Sequence, residues 1–434
     1  MLGRIVTNTN APLIAGLCLT TTVLLAALYG ITPEFVPKLL VSAPAWVAAV
    51  LLWTRATHRT RIQAYVLSTI GVAGLAWGAT HAGRIDPTLI FASNILLVAM
   101  LAAVSFLRLT VRPGFVPAML APRGRNALWS TLLGVHLFGA VINLSAVFIM
   151  GDRLSSTREL TPRQISVLTR GFSAAAFWSP FFAAMAAALT YAPGAQVSQL
   201  MLLGIPLATL ALIVTATRKS AADRDFEGYP MRFATLWLPA TLAALVLLLH
   251  EAFPHWPILT IICMLAPLVS VAYLTVTKHE TYAALGSHLR LGLPSMANEL
   301  LLFLAAGLMA AGIDSTLSTL HNWLPFSHFG GIEAALTLFF MYLIALVGVH
   351  PVIAIAVIGT VFAPLHPQAN LLAMTFLCSW AIAVGTSPFS GMNLAIQGRY
   401  RVAPLDFLRW NGRYSIVMLA ASMVTLFTYG HWFT

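Results

Sequence analysis

The chain has 434 residues, of which 59% are hydrophobic and 9% are charged, and its mean hydropathy is +0.86. Soluble domains usually carry about 25% charged residues, so this composition excludes a soluble globular protein and indicates a membrane protein with many spans. The net charge of +11 comes from Lys and Arg residues in short loops, which we interpret as topology signals, so we expect no nucleic-acid partner.

The three cysteines lie in apolar segments and lack the spacing of a metal site or a disulfide framework. We therefore expect no bound metal and no organic cofactor.

Apolar stretches long enough to cross a bilayer follow one another along the chain. The predicted spans are 11–30, 35–53, 62–80, 88–107, 127–150, 168–192, 196–217, 233–250, 257–277, 293–313, 331–362, 368–397 and 412–430. Three loops are rich in basic residues, namely Arg55, Arg59 and Arg61, then Arg108, Arg112, Arg123 and Arg125, then Arg218, Lys219, Arg224 and Arg232. The positive-inside rule then places the N-terminus in the cytoplasm. We expect the protein to lie in a bacterial-type inner membrane.

The stretch 127–150 leaves one basic loop and meets another, because Arg153, Arg158, Arg163 and Arg170 follow it. It is therefore predicted to enter the membrane and return as a re-entrant hairpin. Its tip, residues 139–145, contains the polar residues Asn143 and Ser145. Irregular backbone at this depth is tolerated only beside protein or a cavity. We expect no Lys or Arg deep in these segments.

The stretch 331–362 is too long for a single span of about 20 residues, so it is predicted to be a second hairpin. Its natural tip is Gly348-Val349-His350-Pro351.

A Ser-Pro-Phe triplet interrupts an apolar stretch in each half of the chain, at Ser179-Pro180 and again at Ser387-Pro388 after Gly385-Thr386. The two triplets are 208 residues apart (387 minus 179). Proline removes a backbone hydrogen bond and clashes with the preceding turn, so both helices should be broken there. Pro180, Pro351, Gly385 and Pro388 are the predicted structural breaks.

The two halves are predicted to be inverted repeats, because the 88–107 span should run inward whereas 293–313, after Lys278 and Arg290, should run outward. The predicted organisation has four parts: about three extra N-terminal helices in 1–87, repeat 1 in 88–217, linking helices in 218–292 and repeat 2 in 293–434.

The run from Gly385 to Asn393, followed by Gly398-Arg399-Tyr400 and Asp406-Phe407, resembles the Thr-Pro-Pro-Asn region of the divalent anion sodium symporters. It is also similar to a Thr-Pro-Pro run of TRAP membrane subunits, so the resemblance is to the ion transporter superfamily, which includes the arsenite permeases. It implies an elevator-type transporter and a homodimer. A transport part, near 127–217 and 331–430, would move against a scaffold formed by the spans before 107 and between 233 and 313. The Ser-Asn-Thr tips of the symporters are absent here.

Half-helices that end at a midplane break present N–H groups and positive dipole ends, which favour a small anionic substrate. The candidate substrate-binding residues are Asn143, Ser145, Ser179, His350, Thr386, Ser387 and Asn393. Sodium prefers hard oxygen ligands, which imidazole does not supply. The coupling ion is therefore left open between Na⁺ and H⁺, with His350 or Glu299 as the candidate proton carrier.

We expect a secondary transporter of di- or tricarboxylates or a related oxyanion that works in the lipid bilayer by alternating access. Alternatives are an efflux permease of the arsenite-permease type, which Glu299 keeps open, and a TRAP-type subunit. A membrane-embedded enzyme would need clustered His, Asp or Glu residues, and the scattered positions of these residues favour a protein that is not an enzyme.

Overall fold

The computed structural model describes residues 10–110, 122–156, 158–217, 225–231, 237–277, 280–320 and 324–433. Over these ranges the chain is helical, and its only β-type pairing is an isolated bridge between Arg123 and Glu227. In the same ranges nine helical stretches are long and apolar enough to cross a membrane. The prediction of an all-α protein with many membrane spans is confirmed. Arg112, Arg218, Lys219, Arg224, Arg232 and Lys278, used above as topology signals, lie outside the described residues.

The helices follow one another with short connections. In the first part of the chain they are α1 (Ala11–Ile31), α2 (Lys38–Leu52), α3 (His58–Thr80), α4 (Pro87–Ala92), α5 (Ile95–Ser105), α6 (Arg125–Ile142), α7 (Ser145–Leu154), α8 (Pro162–Ala174), α9 (Ala183–Tyr191) and α10 (Val197–Thr217). The remainder are α11 (Trp237–Ala252), α12 (Ile258–Val276), α13 (Thr281–Ser287), α14 (Ala297–Leu317), α15 (Gly331–Leu346), α16 (Pro351–Phe362), α17 (Ala369–Thr386), α18 (Gly391–Tyr400) and α19 (Pro404–Phe433).

The chain forms two compact units. Unit 1 comprises residues 1–112 and 242–322, and unit 2 comprises residues 113–241 and 323–434. Unit 1 therefore contains α1 to α5 and α12 to α14, and unit 2 contains α6 to α10 and α15 to α19. The boundary at residue 241 falls inside α11.

In unit 1, α3 and α14 pack backbone against backbone. A Cβ placed on Gly71 would lie 2.6 Å from the carbonyl oxygen of Leu308, and a Cβ placed on Gly74 would lie even closer to the carbonyl oxygen of Gly312. Thr316 Oγ1 adds a hydrogen bond of 3.3 Å to the carbonyl oxygen of Gly74. Small residues allow this approach, which is the usual way in which membrane helices gain packing contacts without a hydrophobic driving force.

Two predicted spans of unit 1 are less regular than their hydropathy indicates. The stretch 88–107 is interrupted between α4 and α5, where Asn94 Nδ2 donates to the carbonyl oxygen of Phe303 at 2.8 Å. The residues before α14 form a π-helical turn (His288–Gly292) and then a 3₁₀ turn (Leu293–Met296). Pro294 lies in the 3₁₀ turn, where its missing N–H and its ring disfavour a regular α-helix.

Unit 2 contains two halves with the same order of elements: a helical hairpin, an interrupted helix and a long helix. The first hairpin is α6 and α7, and the second is α15 and α16. Both fold back on themselves. A Cβ on Gly134 would lie 3.2 Å from Met150 Cε, across the first hairpin. The rings of Phe329 and Phe362, at the open end of the second, have centroids 5.3 Å apart.

The interrupted helices stop at the Ser-Pro sequences. In the first half α8 continues as a 3₁₀ turn to Phe177, and α9 begins at Ala183. In the second half α17 ends at Thr386 and α18 begins at Gly391. Ser387 has extended backbone (φ −62°, ψ 123°), the conformation that a following proline imposes.

The halves of unit 2 are interleaved. Gly151 of the first hairpin lies against the hydroxyl of Tyr400 at the end of α18, and a Cβ on Gly359 of the second hairpin would lie 2.6 Å from Tyr191 Cβ at the end of α9. Each hairpin therefore packs its second helix against the interrupted helix of the other half, at positions 208 residues apart (359 minus 151).

Candidate functional site

The first break is tied to the first hairpin through Ser179, which is fully buried. Its hydroxyl donates to the carbonyl oxygen of Ala140 in α6 and accepts from the N–H of Phe181 at 3.2 Å. In an uninterrupted helix the N–H of Phe181 would donate to the carbonyl oxygen four residues earlier. Pro180 disrupts that helix, and the Ser179 hydroxyl accepts from this N–H instead.

The second break repeats this arrangement with Ser387. Its hydroxyl donates to the carbonyl oxygen of Ala345 in α15 at 2.6 Å and accepts from the N–H of Phe389 at 3.3 Å. The serine of each Ser-Pro sequence therefore makes the same two contacts. Its hydroxyl accepts a hydrogen bond from an N–H after the break, and it donates one to a carbonyl oxygen near the tip of a hairpin.

Asn143 links the first hairpin tip to the first break a second time. Its Nδ2 donates to the carbonyl oxygen of Phe181 at 3.2 Å, and its backbone has φ 53° and ψ −142°, a positive-φ conformation outside the αL region that residues other than glycine rarely adopt. The helices that follow these two segments are α7, beginning at the half-buried Ser145, and α9. Neither has a side-chain cap at its N-terminus, and the N–H groups of Ala146, Val147 and Met185 already donate to backbone carbonyl oxygens of the same segments. What these N-termini offer a ligand is the positive end of each helix dipole.

His350 is the N-cap of α16. Its Nδ1 accepts from the N–H of Val352 at 3.2 Å, which places the proton of the neutral ring on Nε2, and the ring meets Trp380 of α17 edge to face with centroids 5.4 Å apart. Pro351 occupies the first helical position, where its missing N–H costs nothing. Protonation of Nδ1 would break this cap, so a proton carried by His350 would alter the second hairpin tip.

The second break contains two polar atoms with no hydrogen-bond partner in the described part of the chain. Thr386 and Asn393 are fully buried. Asn393 Nδ2 donates to the carbonyl oxygens of Val384 at 3.2 Å and Ser387 at 2.9 Å. In contrast, Asn393 Oδ1 and Thr386 Oγ1 have no hydrogen-bond partner among the described residues. Buried polar atoms are rarely left so, and these two are candidate contacts for an ion, a water molecule or a substrate group because they lie beside a helix break.

Gly385 brings the second break against α8. A Cβ on Gly385 would lie 2.9 Å from Ser173 Oγ, six residues before Ser179. The carbonyl oxygen of Gly385 accepts from Asn411 Nδ2 of α19 at 2.7 Å. Asn411 is a site residue that the sequence reasoning missed.

Arg170 was also missed, and the expectation that no Lys or Arg lies deep in these segments was wrong. Arg170 is only 2% exposed in the middle of α8. Its Nε donates to Asn411 Oδ1 at 2.8 Å, its Nη2 donates to the carbonyl oxygen of Trp410 at 2.6 Å, and its guanidinium lies 4.8 Å from the centroid of the Tyr414 ring. The sequence feature that could have predicted its burial is the apolar residues around it, Val167-Leu168 before it and Phe172 after it, because a loop is usually polar.

Two other polar groups near the first hairpin have structural roles. His136 uses both ring nitrogens, since Nδ1 donates to the carbonyl oxygen of Gly171 at 3.0 Å and Nε2 accepts from Trp178 Nε1 at 3.1 Å. Asp152 at the end of α7 accepts two bonds of 2.6 Å from Arg399 and one of 2.9 Å from Tyr400, which fastens the first hairpin to α18.

Glu299 does not belong to this set of residues. It lies in the first turn of α14 in unit 1 and is exposed, whereas all seven candidate substrate-binding residues lie in unit 2. Across the described ranges no group of three or more His, Cys, Asp or Glu residues could hold a metal ion.

No protein-family model matches the chain, and no curated protein matches it. Among solved structures the chain is similar to the YdaH transporter of Alcanivorax borkumensis, a structure described as having an unusual topology. The sequence identity is 15%, the TM-score is 0.54, and the match covers 87% of this chain and 99% of that one. At this identity the likeness shows the fold, which is therefore one that a solved membrane transporter also has.

Proposed function

We propose that this protein is a secondary active transporter that moves small anions across the inner membrane by alternating access. The observation that carries the proposal is the pair of interrupted helices, each bound by a buried serine to the tip of a helical hairpin. Broken helices at matching places in two halves of a membrane protein are characteristic of transporter binding sites.

The chemistry of the first break suits an anion. The uncapped N-termini of α7 and α9 follow segments that Asn143 joins, so two positive dipole ends can act on one ligand. Asn143 and Ser145 can supply neutral polar groups there, and such groups bind an anion without holding it too tightly for release. Ser179 acts by holding the break in place, because its one hydroxyl hydrogen is donated to the carbonyl oxygen of Ala140.

The polar atoms of the second break suit both a substrate and a coupling ion. Thr386 Oγ1 can donate to a carboxylate or an oxyanion, whereas Asn393 Oδ1 can only accept. An acceptor of this kind suits Na⁺ or a substrate hydroxyl, since alkali cations prefer hard oxygen ligands. Proton coupling through His350 is the other route, because its Nδ1 is tied to the hairpin tip.

The resemblance to the ion transporter superfamily supports the finer parts of the proposal. It favours di- or tricarboxylates or a related oxyanion, inverted repeats, an elevator movement of unit 2 with unit 1 as the scaffold, and a homodimer. The segments of unit 2 are those that the resemblance assigns to the transport part.

The test is uptake of labelled succinate, citrate and phosphate by vesicles containing the purified protein. We expect uptake of at least one probe, and we expect it to depend on an imposed Na⁺ or pH gradient. Export of arsenite against its gradient, or a requirement for a separate binding protein, would point to the alternative permease classes. Absence of uptake and of ligand-induced thermal stabilisation for every probe would reject anion transport. Saturating ligand at a hundredfold its Kd stabilises by about 2.7 kcal/mol, so binding should be visible.

A further inference from the structure

Proline at position 388 frees two carbonyl oxygens at the end of α17, because in a continuous helix Val384 and Gly385 would accept from residues 388 and 389. The carbonyl oxygen of Val384 accepts from Ser390 Oγ at 2.8 Å and from Asn393 Nδ2, both within the same half. The N–H of Phe389 donates to Ser387 Oγ instead. The carbonyl oxygen of Gly385 is served from another helix, by Asn411 Nδ2.

The Asn411 amide can serve this carbonyl only in one orientation. An amide carries an acceptor and a donor group of nearly equal shape, and a flipped amide would present its oxygen to the oxygen of Gly385. Arg170 Nε, which can only donate, meets Asn411 Oδ1 at 2.8 Å and therefore fixes Nδ2 toward Gly385. Nδ2 also lies 3.3 Å from Thr169 Oγ1, on the same turn of α8 as Arg170.

The first break is built differently. A shift of 208 residues relates Gly385 to Phe177, Asn411 to Leu203 and Arg170 to Cys378 (385 minus 177, 411 minus 203, 378 minus 170). The carbonyl oxygen of Phe177 lies against Gly204 of α10, where a side chain would collide with it. Leu203 and Cys378 carry neither an amide nor a guanidinium, so the first break cannot repeat this arrangement.

We propose that Arg170 and Asn411 are positioning residues of the second break: Arg170 orients the Asn411 amide, which holds the freed carbonyl of Gly385 and so sets the placement of Thr386 and Ser387. This role rests on the proposed function for its effect on transport, but its structural part holds in the ligand-free protein. Arg170 lies in one half of unit 2 and Gly385 in the other, so the device also joins the halves.

The decisive variant is Asn411→Asp. It keeps an oxygen for Arg170 Nε and strengthens that contact to an ion pair, but an ionised carboxylate has no hydrogen to donate to Gly385. Loss of one bond to a buried carbonyl corresponds to roughly a tenfold change in local opening. We therefore expect amide hydrogen exchange in residues 383–393 to rise about tenfold in the ligand-free protein, while exchange at the first break, residues 175–185, stays at the wild-type rate.

Arg170→Lys is the companion variant. It keeps the charge, but an ammonium group lacks the forked guanidinium that reaches both Asn411 Oδ1 and the carbonyl oxygen of Trp410. We therefore expect a smaller rise in exchange at residues 383–393 than in Asn411→Asp. Arg409→Met is the matched control, because it removes an exposed guanidinium from the same region of α19 without touching this network. It should exchange like the wild type at both breaks.

Transport gives the second readout, with succinate as the probe. Misplacement of Thr386 and Ser387 should raise KM about tenfold in Asn411→Asp and less in Arg170→Lys, with kcat changed less than KM. Unchanged exchange at residues 383–393, or equal rises at both breaks, would overturn the inference. If the wild-type protein neither binds nor transports the probe anions, the proposed function fails, and the exchange experiment still decides the positioning role.

Discussion

Thr386 is the last residue of α17 and lies directly before the second break. It is fully buried in the last turn of α17, and its hydroxyl has no partner among the described residues. An unsatisfied hydroxyl in a protein interior is unfavourable, so a replacement of the same shape without it should be tolerated.

We expect Thr386→Val to leave the stability of the ligand-free protein unchanged or slightly raised, and to weaken binding of the transported anion about tenfold. The measurements are thermal unfolding with and without substrate, and KM for uptake. Thr375→Val is the control, because the Thr375 hydroxyl bonds to the carbonyl oxygen of Leu371 within the same helix. Wild-type affinity in Thr386→Val would show that the hydroxyl only packs.

At the scale of elements, two serines determine how each hairpin meets an interrupted helix. Ser179 and Ser387 each satisfy one N–H after the break and one carbonyl of the hairpin, so removal of either hydroxyl loosens two elements together.

We expect Ser179→Ala and Ser387→Ala each to destabilise the protein by about 0.6 to 2 kcal/mol, which is the range for hydrogen bonds between membrane helices, and to slow uptake. Unfolding in detergent and uptake by vesicles measure the two effects. Ser379→Ala offers a matched control in α17, since Ser379 is buried and its hydroxyl has no partner in the described part of the chain. If Ser387→Ala were as mild as Ser379→Ala, the hydroxyl would not be holding the hairpin.

At the scale of the whole molecule, the chain divides into two units, and the hairpins and interrupted helices all belong to unit 2. Within unit 2 the halves are interleaved through Gly151 with Tyr400 and through Gly359 with Tyr191. Such packing favours a unit that moves as one body.

A covalent link inside unit 2 should therefore leave transport intact. We would replace Cys18, Cys263 and Cys378, introduce cysteines at Asp152 and Arg399, which form an ion pair, and join them with a cleavable bismaleimide. We expect uptake to continue at most of the rate of the unlinked double variant. Uptake that stops on linking and returns on cleavage would mean that α7 and α18 must separate during the cycle. Single-cysteine variants treated with the same reagent control for modification alone.

Much of the architecture could be read from the sequence, because it depends on local properties. An apolar composition with few charges requires membrane helices, and the structure has them. The Ser-Pro sequences lie where the helices stop, since proline lacks the N–H that a continuing helix needs. The matching spacing of the two triplets likewise corresponds to the same element order in both halves of unit 2.

The contacts of the site were decided only by the tertiary structure. Arg170 follows a basic loop and so was interpreted as part of it, whereas packing of α8 against α19 buries it beside Asn411, 241 residues further along the chain. Ser145 and Glu299 were proposed on their positions alone, and the structure puts Glu299 in the other unit. Sequence patterns report the hydropathy and backbone limits of neighbouring residues, and these limits determine where helices begin and end. Which carbonyl meets which side chain depends on how helices from distant parts of the chain pack, and no local pattern contains that information.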